Sequence, residues 1–117
     1  MDYKNISESI MESQSGIRLV TICDLDGNIL HSGHRQGVTN LLSQDESKRS
    51  LELAVNSWKK RTELAPKIGR GKYVLAEYEK IKRITMPLGD KYLLYVTTET
   101  STDHTKLLDR IYKLSLQ

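Results

Sequence analysis

The sequence predicts an α+β fold: a single domain over residues 1–117, with elements in the order α-β-β-α-β-β-β-α. Its five strands form an antiparallel sheet in spatial order 2-1-5-4-3, with helices on both faces. Three observations lead there. Residues 17–24 and 91–98 are apolar on both sides of an extended chain, so both belong at the centre of a sheet covered on both faces. Short turns join the strands that are adjacent in sequence, and such strands pair antiparallel. Three amphipathic stretches stand at the start, middle and end of the chain. The first and last are placed on one face of the sheet and the middle one on the other.

The first helix is read over residues 3–13. Ile6, Ile10 and Met11 share a face with Tyr3, Asp2 caps the start, and Gly16 is available to stop it. A helix this short is marginal alone and must pack on the sheet. Residues 17–24 follow as the first strand. Asp26-Gly27 then signals a tight hairpin turn, because such turns need residues that tolerate positive φ. Ile29 and Leu30 begin the return strand and His31-Ser32-Gly33 ends it. Residues 32–43 read as a glycine-punctuated loop whose Val38, Leu41 and Leu42 are expected to fold back onto the core.

Ser43 and Glu46 form a capping box, which starts the middle helix. Leu51, Ala54, Val55 and Trp58 make its core-facing stripe, and Leu53 and Leu64 either widen that stripe or face a second partner. Pro66 disfavours helix at Ala65, which places the end near Leu64. Residues 67–72 form a glycine-rich connection. Strands are expected over 73–78, 81–86 and 91–98, with a turn at Pro87-Leu88-Gly89-Asp90. Ser101, Thr102 and Asp103 offer caps for a last helix with Leu107, Leu108, Ile111, Leu114 and Leu116 on its apolar side.

At 117 residues the chain can bury about two thirds of its unfolded surface, enough for its own core. No apolar run reaches the length of a membrane span, and the N-terminus lacks a signal pattern. Cys23 is the single cysteine and sits in an apolar strand, which suits a reducing cytosol. A cytoplasmic protein is expected. Residues 1–57 carry net charge −3 and residues 58–117 net +6, giving the formal total of +3. Such asymmetry marks either an anionic partner or solvated helix and strand surfaces.

No motif points to catalysis, a metal or a cofactor. Gly69-Arg70-Gly71-Lys72 lacks the first glycine and the Ser/Thr of a phosphate loop, and it leads into a strand instead of a helix N-terminus. His31 and His34 have no second ligand pair to complete a tetrahedral site. Asp24 and Asp26 read as turn residues, and no nucleophile elbow occurs. Lys59, Lys60, Arg61, Lys67, Arg70, Lys72, Lys80, Lys82 and Arg83, interleaved with Tyr73 and Tyr78, form a candidate surface for nucleic acid or another anionic partner. The bland alternative is a solvated helix end and an edge strand blunted by lysine. Trp58 fits a core position and an interface anchor equally well.

Three segments resemble the roadblock (dynein light chain roadblock-type) domain family of the profilin-like fold group. GIRLVTICDLDGNILHSG is similar to its first hairpin, LELAVNSW to its middle helix, and ITMPLGDKYLLYVTTE to its fourth and fifth strands. The resemblance implies a non-enzymatic domain with no cofactor. It also implies homodimers in which third strands pair edge to edge and middle helices pack together, and a role as adaptor or regulator of small Ras-like GTPases or other complexes. On that reading the dimer interface comprises Trp58, Lys72, Tyr73, Val74, Leu75, Ala76, Glu77, Tyr78 and Glu79. Antiparallel pairing would set the basic end of one third strand against the acidic end of its copy. A nucleic-acid or anionic-partner binder stands as the alternative. A small-molecule sensor is a further one, and it requires a sizeable cavity between sheet and helix.

Overall fold

The structure is a computed structural model that describes residues 2–115. Its elements are α1 (Tyr3–Ser13), β1 (Ile17–Asp24), β2 (Ile29–His34), α2 (Gln44–Thr62), α3 (Ala65–Ile68), β3 (Val74–Glu77), β4 (Lys82–Leu88), β5 (Tyr92–Thr98) and α4 (His104–Ser115). The strands form one sheet in the order β2-β1-β5-β4-β3, with every neighbouring pair antiparallel. This is the predicted class and strand order. Leu116 lies outside the described residues.

Alternation along the two central strands divides the core. Val20, Ile22, Leu94 and Val96 point to one face, where they meet Ile84, Met86 and Leu88 of β4, Ile10 of α1, and Leu107, Leu108 and Ile111 of α4. Cys23, Leu93 and Tyr95 point to the other face and pack beneath Leu51, Ala54, Val55 and Trp58 of α2. The helices therefore cover the two faces as the sequence predicts.

The caps explain where the helices begin. Asp2 Oδ1 accepts from the Asn5 amide at 3.0 Å, and Asp103 Oδ1 accepts from Thr105 and Lys106 at 3.0 and 3.2 Å. At α2 the Ser43 amide donates to Glu46 Oε1 at 2.9 Å, and the Glu46 amide donates back to Ser43 Oγ at 3.2 Å, completing the capping box.

Several boundaries differ from the sequence reading. α1 ends before Gly16, and Gly16 instead lets the chain pass against Thr102, whose Oγ1 occupies the space a Cβ would need. The first hairpin closes through Leu25–Asn28 instead of a two-residue turn, because Asp24 Oδ1 gathers the amides of Asp26 and Asn28, both at 2.9 Å. Leu41 and Leu42 stay exposed and do not fold onto the core. α2 stops at Thr62, and Pro66 opens the short α3, since proline suits the first turn of a helix even as it ends a preceding one. β4 runs on through Pro87 and Leu88. β3 begins at Val74 opposite Thr85, so Pro87 stands past that ladder, where a missing N–H costs no bond.

Candidate functional site

The most distinctive surface is the free sheet edge at β3, where Val74 packs against the cluster under α2. β3 pairs only with β4 and is four residues long. The hydrogen bond from the Tyr78 amide to the Ile81 carbonyl, 2.8 Å, sets the alternation along the strand. The backbone groups of Tyr73, Leu75 and Glu77 therefore turn away from β4, toward solvent. Tyr73 and Tyr78, which flank β3 in the chain, are exposed, as are Leu53 (59%) on α2 and Leu64 (54%) and Ile68 (80%) at the short α3. Leu53, Ser57 and Lys60 follow one another along α2 at spacings of four and three, and Leu64, just past its end, continues the series. They form an outer stripe opposite the one that holds the sheet.

This edge is held firmly from beneath. Trp58 is only 5% exposed, and its indole N–H donates to Thr85 Oγ1 at 2.9 Å. Its ring lies so close to Gly71 that a Cβ there would come within 2.7 Å of it. Of the two roles left open for Trp58, the core role is the one its own chain fills. Arg83 supports the β3–β4 hairpin. Its Nη1 donates to Ser50 Oγ on α2 at 2.8 Å, and its guanidinium lies 5.7 and 5.8 Å from the ring centroids of Tyr78 and Tyr95. Ser50 in turn bonds the Tyr95 hydroxyl at 2.9 Å.

The remaining expected interface residues fall along the same edge: Lys72, Glu77 and Glu79 exposed, Val74, Leu75 and Ala76 half-buried. The basic set is less coherent. Lys59, Lys60, Arg61, Lys67, Lys72 and Lys80 are exposed, and Arg70 is paired with Asp90 at 2.9 Å. Lys82 is buried on the opposite face of the sheet. Its Nζ donates to the Thr102 carbonyl at 2.9 Å, lies 3.1 Å from His104 Nδ1 and 3.9 Å from Glu77 Oε1. Arg83 is committed to its tyrosines and Ser50. Sequence reasoning missed Ile68 because it placed no helix after Pro66. The four-residue spacing from Leu64 was the signal available.

Two clefts flank α2. One, of about 410 Å³, lies between its C-terminal half, the loop before β3 and the β4–β5 turn, with Trp58, Arg70 and Leu93 in its wall. The other, of about 560 Å³, lies between its N-terminal half, β1–β2 and the 35–43 loop, and Ile29, Leu41 and Leu42 line it. Among the described residues no three His, Cys, Asp or Glu side chains gather where they could hold a metal, and no helix is long and apolar enough to cross a membrane. Burial, with a smaller contribution from the neighbouring Asp24 charge, pushes the Cys23 thiol up to about 11, well away from a reactive thiolate.

No protein-family model matches the chain, and no curated protein sequence does. Solved structures do. A Roadblock/LC7 domain from Streptomyces avermitilis superposes with a TM-score of 0.77 at 13% identity, covering 99% of this chain and 93% of that one. Myxococcus xanthus MglB gives 0.74 at 16% identity, covering 98% and 92%. Schizosaccharomyces pombe profilin gives 0.67 at 9% identity, covering 97% and 94%. The chain has the fold that roadblock domains share with profilin.

Proposed function

We propose that this protein is a non-enzymatic adaptor or regulatory domain that works as a homodimer, built through β3 and the outer face of α2, and that the dimer engages a small Ras-like GTPase or a related signalling complex. One observation carries the reading. An unpaired edge strand flanked in the chain by the exposed Tyr73 and Tyr78, together with exposed Leu53, Leu64 and Ile68 on and beside the helices that precede it, offers backbone and apolar groups that a second copy would cover. A two-fold axis near Leu75 would let the outward backbone groups of Tyr73 and Glu77 pair across subunits. It would also bring the Lys72 end of one strand beside the Glu77–Glu79 end of the other. Across antiparallel α2 helices, Leu53 of one copy would lie toward the Leu64 end of the other. The fold shared with roadblock domains supports the same assembly, and the regulatory role follows from the resemblance to that family.

Light scattering at micromolar concentration is expected to give twice the chain mass. Leu53→Asp is expected to give the monomer while leaving stability within about 0.5 kcal/mol, because the side chain is exposed in the single chain. A wild-type monomer at that concentration would overturn the dimer. Titrating the dimer with nucleotide-loaded small GTPases encoded near its own gene tests the partner, and no binding in either nucleotide state would remove the GTPase assignment.

A further inference from the structure

The opposite edge of the sheet has a different character. β2, Ile29–His34, pairs only with β1 and is the other free edge. Its six residues, ILHSGH, include no lysine, arginine, acid or proline. Those are the residues by which proteins ordinarily keep an edge strand from pairing with another chain. A register shift beside Cys23 interrupts the ladder at Leu30, but His31–His34 runs in unbroken register against Leu19–Ile22.

The hydrogen bond from the Arg35 amide to the Arg18 carbonyl, 2.8 Å, fixes which groups of this run are free. Arg35 and Arg18 are a bonded pair, so Gly33 and His31 also bond inward to β1, and the N–H and C=O of Ser32 and His34 point outward. Gly33 lies between those two residues. Of the seven glycines, four have positive φ, and Gly16 and Gly71 lie against side chains that a Cβ would strike. Gly33 has neither reason. Its φ is not positive, and a Cβ would meet only His31 Nε2 at 3.7 Å, an ordinary contact. A glycine inside a strand costs stability and often marks a bulge, a bend or a place where another backbone comes close, and the register around Gly33 is unbroken.

We infer that β2 is a second self-association edge, on which a further copy of this chain pairs antiparallel about a two-fold axis through Gly33. In that register Ser32 of each chain exchanges backbone bonds with His34 of the other. Gly33 faces Gly33 at the close, non-bonded position where side chains crowd most. No two charges of like sign face each other within β2, and the exposed Ile29 of each copy lies beside the contact. The paired run is short, so the contact is weaker than an interface that also packs helices. It joins subunits reversibly as concentration rises. It needs no residue of the α2–β3 surface and stands or falls separately from the dimer proposed there.

The test uses the whole chain with Cys23→Ala, which leaves Gly33→Cys as the single thiol. Oxidation is expected to link two chains through position 33 at high protein concentration, with or without Leu53→Asp. In the wild type, hydrogen exchange at the Ser32 and His34 amides is expected to slow as concentration rises, while Gly33→Asp, which sets two like charges on the axis, weakens this association more than about tenfold. Exchange at those amides that is independent of concentration, or no self-linked product, would overturn the inference. So would a Gly33→Cys disulfide formed only with a foreign protein in a native extract, which would give the edge to a partner's extended segment.

Discussion

The two faces of the sheet are built differently. Beneath α1 and α4, twelve buried residues form one cluster to which three of the five strands and both helices contribute. Beneath α2 the cluster has seven, and a cleft opens on each side of the helix. Two helices close the first face, whereas one helix crosses the second and leaves its flanks to loops. The closed face secures the fold. The helix on the other face carries surface that the chain does not use internally, and the exposed Leu53 stands there. The two roles are separated by the pleat of the strands, one residue from the next.

Adjacent residues of β5 put this to the test with the largest effect. Leu93 and Leu94 are both essentially fully buried but point to opposite faces. Leu94→Ala is expected to cost about 4 kcal/mol, near the upper end for a cavity that its surroundings cannot fill. Leu93→Ala, beside a cleft into which neighbours and water can move, is expected to cost about 2–3 kcal/mol. Urea denaturation measures both, and equal costs would break the contrast between a closed and a partly open face.

A smaller effect is expected at Gly71. A methyl group there would press on the Trp58 ring, which is held by its hydrogen bond to Thr85. Gly71→Ala should destabilise by about 1–3 kcal/mol, the usual range for overpacking, and should shift Trp58 fluorescence, because the indole must move. An unchanged spectrum with unchanged stability would mean that the loop before β3 gives way instead, leaving that edge less firmly seated than its contacts indicate.

The sequence made the closed face legible and the other only half so. Strands with apolar residues on both sides, tight connections and a capping box are local signals, and each marks an element by its own chemistry. Strand order followed from them because a doubly covered strand must be central. What stayed illegible depends on contacts between distant residues. Arg83 reads in sequence as a candidate contact for an anionic partner, because nothing there places Tyr78, Tyr95 and Ser50 around it. Lys82 reads the same way, although its ammonium reaches the Thr102 carbonyl twenty residues on. Helical spacing gives the direction of Leu53 around α2 but not how wide the sheet beneath is, so the sequence alone allows it two roles. Pro66 announced the end of one helix and concealed the start of the next.

Cys23 probes the second face chemically. It lies under α2, and its thiol is pushed up to about 11, chiefly by burial. Ionisation alone should make the folded thiol about 100-fold less reactive toward a disulfide reagent at neutral pH than an ordinary cysteine, and exclusion of the reagent should slow it further. Rapid labelling of the native protein would show that α2 lifts from the sheet often, making this face more mobile than its packing implies. Labelling only at the unfolding rate would place it in the same cooperative unit as the closed face.

The smallest expected difference concerns how α2 begins. The Glu46 carboxyl lies below its ordinary value, first because the Ser43 backbone amide donates to it and then through the Ser43 side chain. A carboxyl depressed on folding stabilises the protein at every pH above its unfolded value, and that contribution is lost as pH falls through the lower, folded value. Glu46→Gln should therefore weaken the protein slightly at neutral pH, and the deficit should close as pH falls through the lowered folded value, where wild-type Glu46 becomes protonated too. Asp24 has the same sign, its carboxyl lowered first by the Asn28 side-chain amide and then by the Asn28 backbone. Asp24→Asn should show a similar closing gap, but located at the first hairpin. Amide exchange separates the two. Glu46→Gln should raise exchange in the first turns of α2 and leave α1 and α4 unchanged, whereas an effect spread over both faces would mean that the α2 cap contributes to the whole fold and not to its own face.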